Sequence, residues 1–379
     1  MPRPIRVAVI GAGSAGQGLA SFIALRGHEV ALYSPPMGAA QFKPIAETRS
    51  LRVSGVVTGT AHFNKATTDL GDALDGADVV FLTLRAYAHE SVLKACLPYL
   101  QPEQLVVIVT GYWASLRLHG MLSQLDPRIL IAETTLLPLA SAAVGPNAVN
   151  ISGVKSNVKL AAFPAARTSE AVARVIDALP QMVAGENVLS TNLDNFNPII
   201  HTPIALFNLG QLERDASFEF YHEGITPKIA AVMDSMDRER LAIGKALGLP
   251  LAEVTESLRS WYGATGTGTC EVIRNCEAYF GYVLPNVFDY IREDVPHGLV
   301  PLAALGESLD IPCPALRGMI TAWSMVDGID YLQEGTTTRR LGLEGLSSAG
   351  IIDYVQTGVP PQTRTGTARA SDQRGHSSD

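Results

Sequence analysis

The chain has 379 residues, 47% of them hydrophobic and 17% charged, which suffices for a large buried core and roughly two domains. A net charge of −8, with Lys and Arg scattered rather than clustered, offers no basic face and argues against nucleic acid as a partner. No apolar run reaches the roughly 20 residues that span a bilayer, and Cys96, Cys270, Cys276 and Cys313 have neither a paired framework nor a Cys-x-x-Cys spacing, so neither membrane nor metal is expected.

Met1-Pro2-Arg3-Pro4 leads straight into the first strand with no room for a signal peptide, which points to a cytoplasmic protein. Arg6 to Ile10 reads as a short buried strand. Gly11-Ala12-Gly13-Ser14-Ala15-Gly16 follows with the spacing Gly-x-Gly-x-x-Gly, and Leu19, Ala20, Phe22, Ile23 and Leu25 then recur at helical intervals. The first glycine permits a tight turn, the second lets backbone approach a pyrophosphate, and the third lets helix pack on strand. The helix start offers unpaired N–H groups and a positive dipole end to phosphate. Gly11, Gly13, Ser14, Ala15 and Gly16 are therefore cofactor-binding candidates. A second strand, Glu29 to Tyr33, completes the βαβ interval. An NAD site expects Asp or Glu at its end to hold the ribose 2′-hydroxyl. This strand ends Leu32-Tyr33-Ser34-Pro35-Pro36 instead. A small hydroxyl at Ser34, with Lys43 or Arg49 from the next segment, suits a 2′-phosphate better, so NADP is favoured and NAD is the alternative.

Residues 50–65 alternate like a β-hairpin and read as a lateral addition. Strands at Val79–Leu84, Leu105–Val109 and Ile129–Ala132 alternate with helices at about Ala88–Tyr99 and Ala114–Leu125, the pattern of a doubly wound parallel sheet. Ligands bind at the C-terminal ends of such strands. That makes Leu84 and Arg85 candidates toward the cofactor, and Thr110, Tyr112 and Thr134 candidates toward the substrate. Two more strand-like runs lie between Val149 and Phe163, followed by a helix from about Ser169 to Leu179. Beyond residue 188 or so the period becomes helical: Pro198–Arg214, Pro227–Leu247, Leu251–Trp261, Thr269–Phe280, His297–Leu309 and Pro314–Val326. The expected fold is an α/β Rossmann dinucleotide-binding domain at 1–187 and an all-α substrate domain at 188–357. Residues 358–379, nearly devoid of apolar types, read as a disordered tail.

Taken alone, His201 sits one turn into an apolar helix opened by Asn197-Pro198 and reads as a core histidine. Glu293-Asp294 ahead of Val295-Pro296 likewise reads as a capping or solvated pair. Several long stretches in one order change both readings. Asn197-Pro198 through His201, Phe220-Tyr221-His222-Glu223-Gly224-Ile225-Thr226-Pro227, Arg238-Glu239-Arg240-Leu241 with Leu247-Gly248-Leu249, and Glu293-Asp294-Val295-Pro296 onward to Leu305-Gly306 resemble the opine dehydrogenases of the octopine and nopaline dehydrogenase family. The resemblance covers nearly the whole chain. It implies a Rossmann domain and a helical domain with catalysis between them, a homodimer, and reductive condensation of a keto acid or other carbonyl with an amine or amino acid by reduced NAD(P). His201 matches the family's catalytic histidine and Asp294 its carboxylate partner. Reducing a carbinolamine or imine needs a proton donor while hydride arrives at carbon, a task suited to imidazole.

Two departures bear on the substrate. Where many members carry Pro-Tyr-x-x-Arg, this chain reads Pro138-Leu139-Ala140-Ser141-Ala142. Where many read Arg-Tyr ahead of Glu-Asp-Val-Pro, it reads Asp289-Tyr290. Those arginines look like carboxylate holders in the family, the bidentate role guanidinium fills well. Asp289 could attract an amine or pair with Arg292, and Arg292, Arg85 or Arg117 could supply a displaced contact. Asn197, Asp289 and Arg292 join the substrate candidates. The alternative functions are a reductase of a cyclic or preformed imine, which needs no carboxylate clamp, and a catalytically silent NAD(P)-binding sensor.

Overall fold

A computed structural model describes residues 4–215, 217–284 and 287–360. Most of the segment read as a tail, residues 361–379, lies outside the described residues. The first half is built on a sheet of eight strands in the order β12-β11-β8-β7-β6-β1-β2-β5. Those strands are β1 Arg6–Ile10, β2 Glu29–Tyr33, β5 Lys65–Thr67, β6 Val79–Leu82, β7 Leu105–Ile108, β8 Leu130–Thr134, β11 Val158–Ala162 and β12 Met182–Ala184. The four central strands β1, β6, β7 and β8 are buried along nearly their whole length, which is why they read as continuous apolar runs rather than alternating ones. Pairing is parallel from β5 through β8. β11 runs antiparallel to β8, so the sheet is mixed rather than wholly parallel.

The remaining strands, β3 Ser50–Gly55, β4 Gly59–His62, β9 Leu139–Gly145 and β10 Ala148–Val154, form a second sheet in the order β4-β3-β10-β9. The hairpin at 50–65 is thus no lateral addition. β3 pairs in parallel with β10, Arg52 opposite Ala148, and this small sheet covers the Ser14–Leu25 helix. β9 lay outside the two runs read between 149 and 163, because Leu139-Ala140-Ser141-Ala142-Ala143 lacks β-branched side chains. A helix at Ala39–Thr48 was also illegible, since its sequence is polar and holds Pro44 internally.

Helices are the main regular elements of the second half, beside an isolated bridge between Glu219 and Val283. Asn197–Phe207, Pro227–Ala246, Val254–Tyr262 and Pro314–Asp327 lie close to their expected places. The Thr269 helix stops at Arg274, not Phe280. The run expected to begin at His297 begins earlier: Val287–Asp294 is α-helical, Val295–Leu299 is a π-helical turn, and Val300–Ser308 is α-helical again. Pro296 and Pro301 cannot donate to the helical ladder, which favours such a widened turn. One core cluster joins these helices to Trp113, Leu136, Ala161 and Phe163 of the first half. Within the described residues no helix is long and apolar enough to cross a membrane.

Candidate active site

The glycine turn has the shape its spacing predicts. Gly11 adopts φ +117°, a conformation that disfavours any side chain, and a Cβ there would stand 2.6 Å from the Thr83 carbonyl oxygen. A Cβ at Gly16 would meet the Gly11 carbonyl oxygen at 1.7 Å, so helix and strand could not otherwise come together. Thr83 closes the turn by donating its hydroxyl to Gly11 O at 3.0 Å. Gly13 has nothing within 4 Å of its missing Cβ, and no side chain caps the Ser14–Leu25 helix. Room and free N–H donors therefore coincide, and the turn fits a dinucleotide pyrophosphate. Ser14 is exposed and Ala15 half-buried, although the Ser14 hydroxyl already accepts from the Ala143 N–H at 3.1 Å. Ser34 is buried, only 4% exposed, with its hydroxyl 3.4 Å from Pro35 O. Lys43 stands in solvent, 3.8 Å from Glu47. Leu84 is half-buried beside Gly11.

The helical half brings together the two residues matched to the family's catalytic pair. Pro198 opens the Asn197–Phe207 helix and His201 falls on its buried side. Gly298 lets that helix approach the π-helical turn, since a Cβ there would be 2.3 Å from Pro198. The approach sets His201 Nδ1 2.7 Å from Asp294 Oδ2, both side chains being almost wholly buried. With Nδ1–H given to the carboxylate, Nε2 is the nitrogen that faces the Tyr221 hydroxyl at 2.9 Å. The other Asp294 oxygen accepts the Tyr112 hydroxyl at 2.5 Å. Burial, followed by the charge of Asp294, holds the Tyr112 phenol well above its ordinary pKa, so it stays a donor. A carboxylate held from both sides orients the imidazole and fixes its tautomer. We expect Tyr112→Phe to lower kcat by roughly 10- to 100-fold and leave cofactor affinity unchanged, as loss of one hydrogen bond to a charged group costs about 1.5–3 kcal/mol; steady-state kinetics beside a cofactor titration check this.

Glu293 plays a different part. Its carboxylate accepts the Ala86 N–H at 2.5 Å and lies 3.3 Å from Arg85 Nη1. Burial, against the pull of Arg85, raises its pKa to about 7. Arg85 also lies over the Tyr290 ring, 4.0 Å from its centroid. The consecutive acids thus grip two loops of the sheet domain: Glu293 the one after β6, Asp294 the one after β7. A third crossing runs through Glu133, which accepts from the Ser115 N–H at 3.1 Å and from Asn192, whose own oxygen accepts the Trp113 N–H at 2.6 Å. Glu133 was legible only as a strand end, and nothing in its neighbourhood along the chain announces Asn192.

Of the other substrate candidates, Thr110 is half-buried at the end of β7, and Thr134 is buried at the end of β8 with its hydroxyl unpartnered among the described residues. Asn197 is half-buried at the helix start, its backbone N–H bonded to Asn195. Arg292 is exposed, and Asp289 forms no ion pair with it or with any other described residue. Arg117 turns away to bond Ala86 O and His89, each at 3.2 Å. A wall of tyrosines was not foreseen as a unit. Tyr221 stacks on Tyr279 with centroids 4.1 Å apart, Tyr279 meets Tyr262 at 5.8 Å, and Tyr290 meets the His201 ring edge-on at 5.2 Å.

A Rossmann glycine turn on the sheet domain, together with a buried His–Asp pair on the helical domain, is the arrangement expected of a nicotinamide-dependent dehydrogenase. Residues 184–326 match the family model for the α-helical domain of NAD/NADP octopine/nopaline dehydrogenase, and residues 6–112 that of the coenzyme F420-dependent NADP oxidoreductases. The chain is 32% identical over 354 residues to an opine dehydrogenase of Arthrobacter sp. (strain 1C), covering 92% of this chain and 98% of that one. Its fold superposes on octopine dehydrogenase in complex with NADH and agmatine at TM-score 0.72, with 20% identity, covering 94% and 98% of the two chains. It superposes on NADP+-bound yersinopine dehydrogenase at TM-score 0.63 with 15% identity, covering 94% and 99%. The chain belongs to the opine dehydrogenase family. It is an NAD(P)-dependent oxidoreductase acting on CH–NH bonds, which sets aside the catalytically silent alternative.

Proposed function

We propose that the protein joins an α-keto acid, or another carbonyl compound, to an amine or amino acid, with His201 as the proton donor and Asp294 as the group that orients it. The observation that carries this reading is the His201 imidazole fixed between Asp294 and Tyr221. The reduced nicotinamide, when bound, supplies hydride to the carbon of the condensed C=N substrate. His201 Nε2 delivers a proton on the Tyr221 side of the ring, and Asp294 balances the imidazolium by accepting Nδ1–H. Tyr112 holds Asp294 in register. Burial of all four side chains keeps bulk water from the proton path.

The test is oxidation of NADPH and NADH with pyruvate and a mixture of amino acids, each omitted in turn. Dependence on both supports condensation. Oxidation with a cyclic imine alone supports the second reading, which the alanine at position 142 and the unpaired Asp289 favour over a substrate held at those positions by its carboxylates. The reading includes a Rossmann domain at 1–187, a helical domain at 188–357, and a cytoplasmic homodimer whose mass sedimentation would measure. It also includes a preference for NADP. With no carboxylate at the end of β2 to hold a 2′-hydroxyl, NADPH is expected to bind about tenfold more tightly than NADH, and Lys43→Ala to remove most of that difference. Equal dissociation constants in the wild-type protein would refute the preference.

A further inference from the structure

Two consecutive residues of the turn after β7 hold a backbone conformation that side chains disfavour. Tyr112 has φ +47° and Trp113 φ +62°, both left-handed. Neither is a glycine and both are buried, so their surroundings must impose the shape. On the sheet side the turn is tied by the Gly111 N–H to Thr134 O at 3.0 Å and by the Ser115 N–H to Glu133 at 3.1 Å. It packs directly on that glutamate, since a Cβ at Gly111 would lie 2.8 Å from the Glu133 carboxyl carbon. The N–H of Trp113 itself donates to Asn192 Oδ1 at 2.6 Å. Asn192 belongs to the Val188–Leu193 helix, at the start of the helical half. Its amide can face only one way. The nitrogen donates to Val188 O at 2.7 Å and to Glu133 Oε1, which spends both N–H groups and leaves the oxygen turned to Trp113. A flipped amide would set N–H against N–H and oxygen against carboxylate. Glu133, wholly buried, thus fixes the amide, and the amide fixes the turn. The turn points the Tyr112 hydroxyl at Asp294 Oδ1, whose other oxygen holds His201.

We propose that Asn192, oriented by Glu133, is a positioning residue for the reaction: by holding the Trp113 N–H it keeps the left-handed turn in the shape that aims Tyr112 at Asp294 and, through Asp294, sets the His201 imidazole. The helical half then holds one turn of the sheet half at two points, the backbone through Asn192 and the side chain through Asp294. With the first point lost, Trp113 and Tyr112 are free to relax toward ordinary backbone angles, and the hydroxyl leaves the carboxylate. The role rests on the reading of His201 and Asp294 as proton donor and orienting group for its purpose, but not for its detection.

Two measurements test this. In steady-state kinetics Asn192→Leu is expected to lower kcat roughly 3- to 10-fold, with KM and cofactor affinity near wild type. The loss is smaller than for Tyr112→Phe because the hydroxyl is displaced rather than removed. In the Tyr112→Phe background the same change should add less than about twofold, since no hydroxyl is left to aim. A merely structural role would multiply with Tyr112→Phe instead, and overturns the proposal. Glu133→Gln keeps the volume but replaces one acceptor by a donor. It should lower kcat in the same non-additive way, and it serves in both measurements where Asn192→Leu fails to fold. The second measurement needs no turnover. The proton between His201 Nδ1 and Asp294 is followed by its downfield proton NMR signal, identified by its loss in His201→Ala. Asn192→Leu is expected to move that signal in the same direction as Tyr112→Phe, and the double variant to move it no further than Tyr112→Phe alone. An unmoved signal in Asn192→Leu overturns the proposal. Failure of wild type to oxidise NADPH with any donor pair would instead count against the condensation reading, leaving the proton signal to decide the positioning role.

Discussion

Replacing His201 with alanine is expected to lower kcat by about 10³-fold while cofactor affinity stays near that of the wild type. A positioned proton donor contributes roughly 10²–10⁴-fold, and the imidazole touches the reaction through a single nitrogen. Its Nδ1 is committed to Asp294 and its Nε2 faces Tyr221, so alanine there removes the link between the two. Asp294→Asn should cost about as much. The amide would present either an oxygen or an N–H to Nδ1, and it would lose the charge that offsets the imidazolium. Cofactor binding is the control, because the glycine turn lies on the other domain. A His201→Ala protein that turns over within about threefold of wild type would remove the assignment.

The second large effect is on stability. Arg240 is fully buried on the Pro227–Ala246 helix, where it bonds Asp237 at 2.7 Å, Leu193 O at 3.0 Å and Ala252 O at 2.5 Å, and lies 3.3 Å from Asp194. It is the hub that fixes the entry segment of the helical domain to the long helix. Asp237 also accepts the Val254 N–H at 3.2 Å, so its charge is held in place whether or not the arginine is there. Arg240→Met would strand that carboxylate, and breaking a buried pair from one side costs about 3–5 kcal/mol. Denaturant unfolding of Arg240→Met should show this loss. Adding Asp237→Leu should recover part of it, since an unpaired buried charge is worse than none. A loss below about 1 kcal/mol would mean that water reaches the site.

Much of this architecture was readable because its signals are local. The glycine turn, the buried strands and the helical period of the second half each depend on residues within a few turns of one another. His201 and Asp294 were legible only through the wider resemblance, since 93 residues separate them and nothing near either one names the other. The same distance hid what the structure adds. Glu133 finds Asn192 across 59 residues, and Glu293 finds the Ala86 N–H across 207. β3 pairs with β10 because the chain returns, not because either strand advertises a partner.

The paired grip of Glu293 and Asp294 has a consequence for chirality. One carboxylate holds the loop after β6, its neighbour holds the loop after β7, and the second of them also holds the imidazole. The wall that carries the proton is thereby locked in azimuth against the wall that carries the glycine turn. A planar C=N group between them meets hydride from one side and is held in one orientation, so the carbon it becomes should have a single configuration. Chromatography of the product on a chiral phase would then show one peak, and loosening of either acid would appear first as a second.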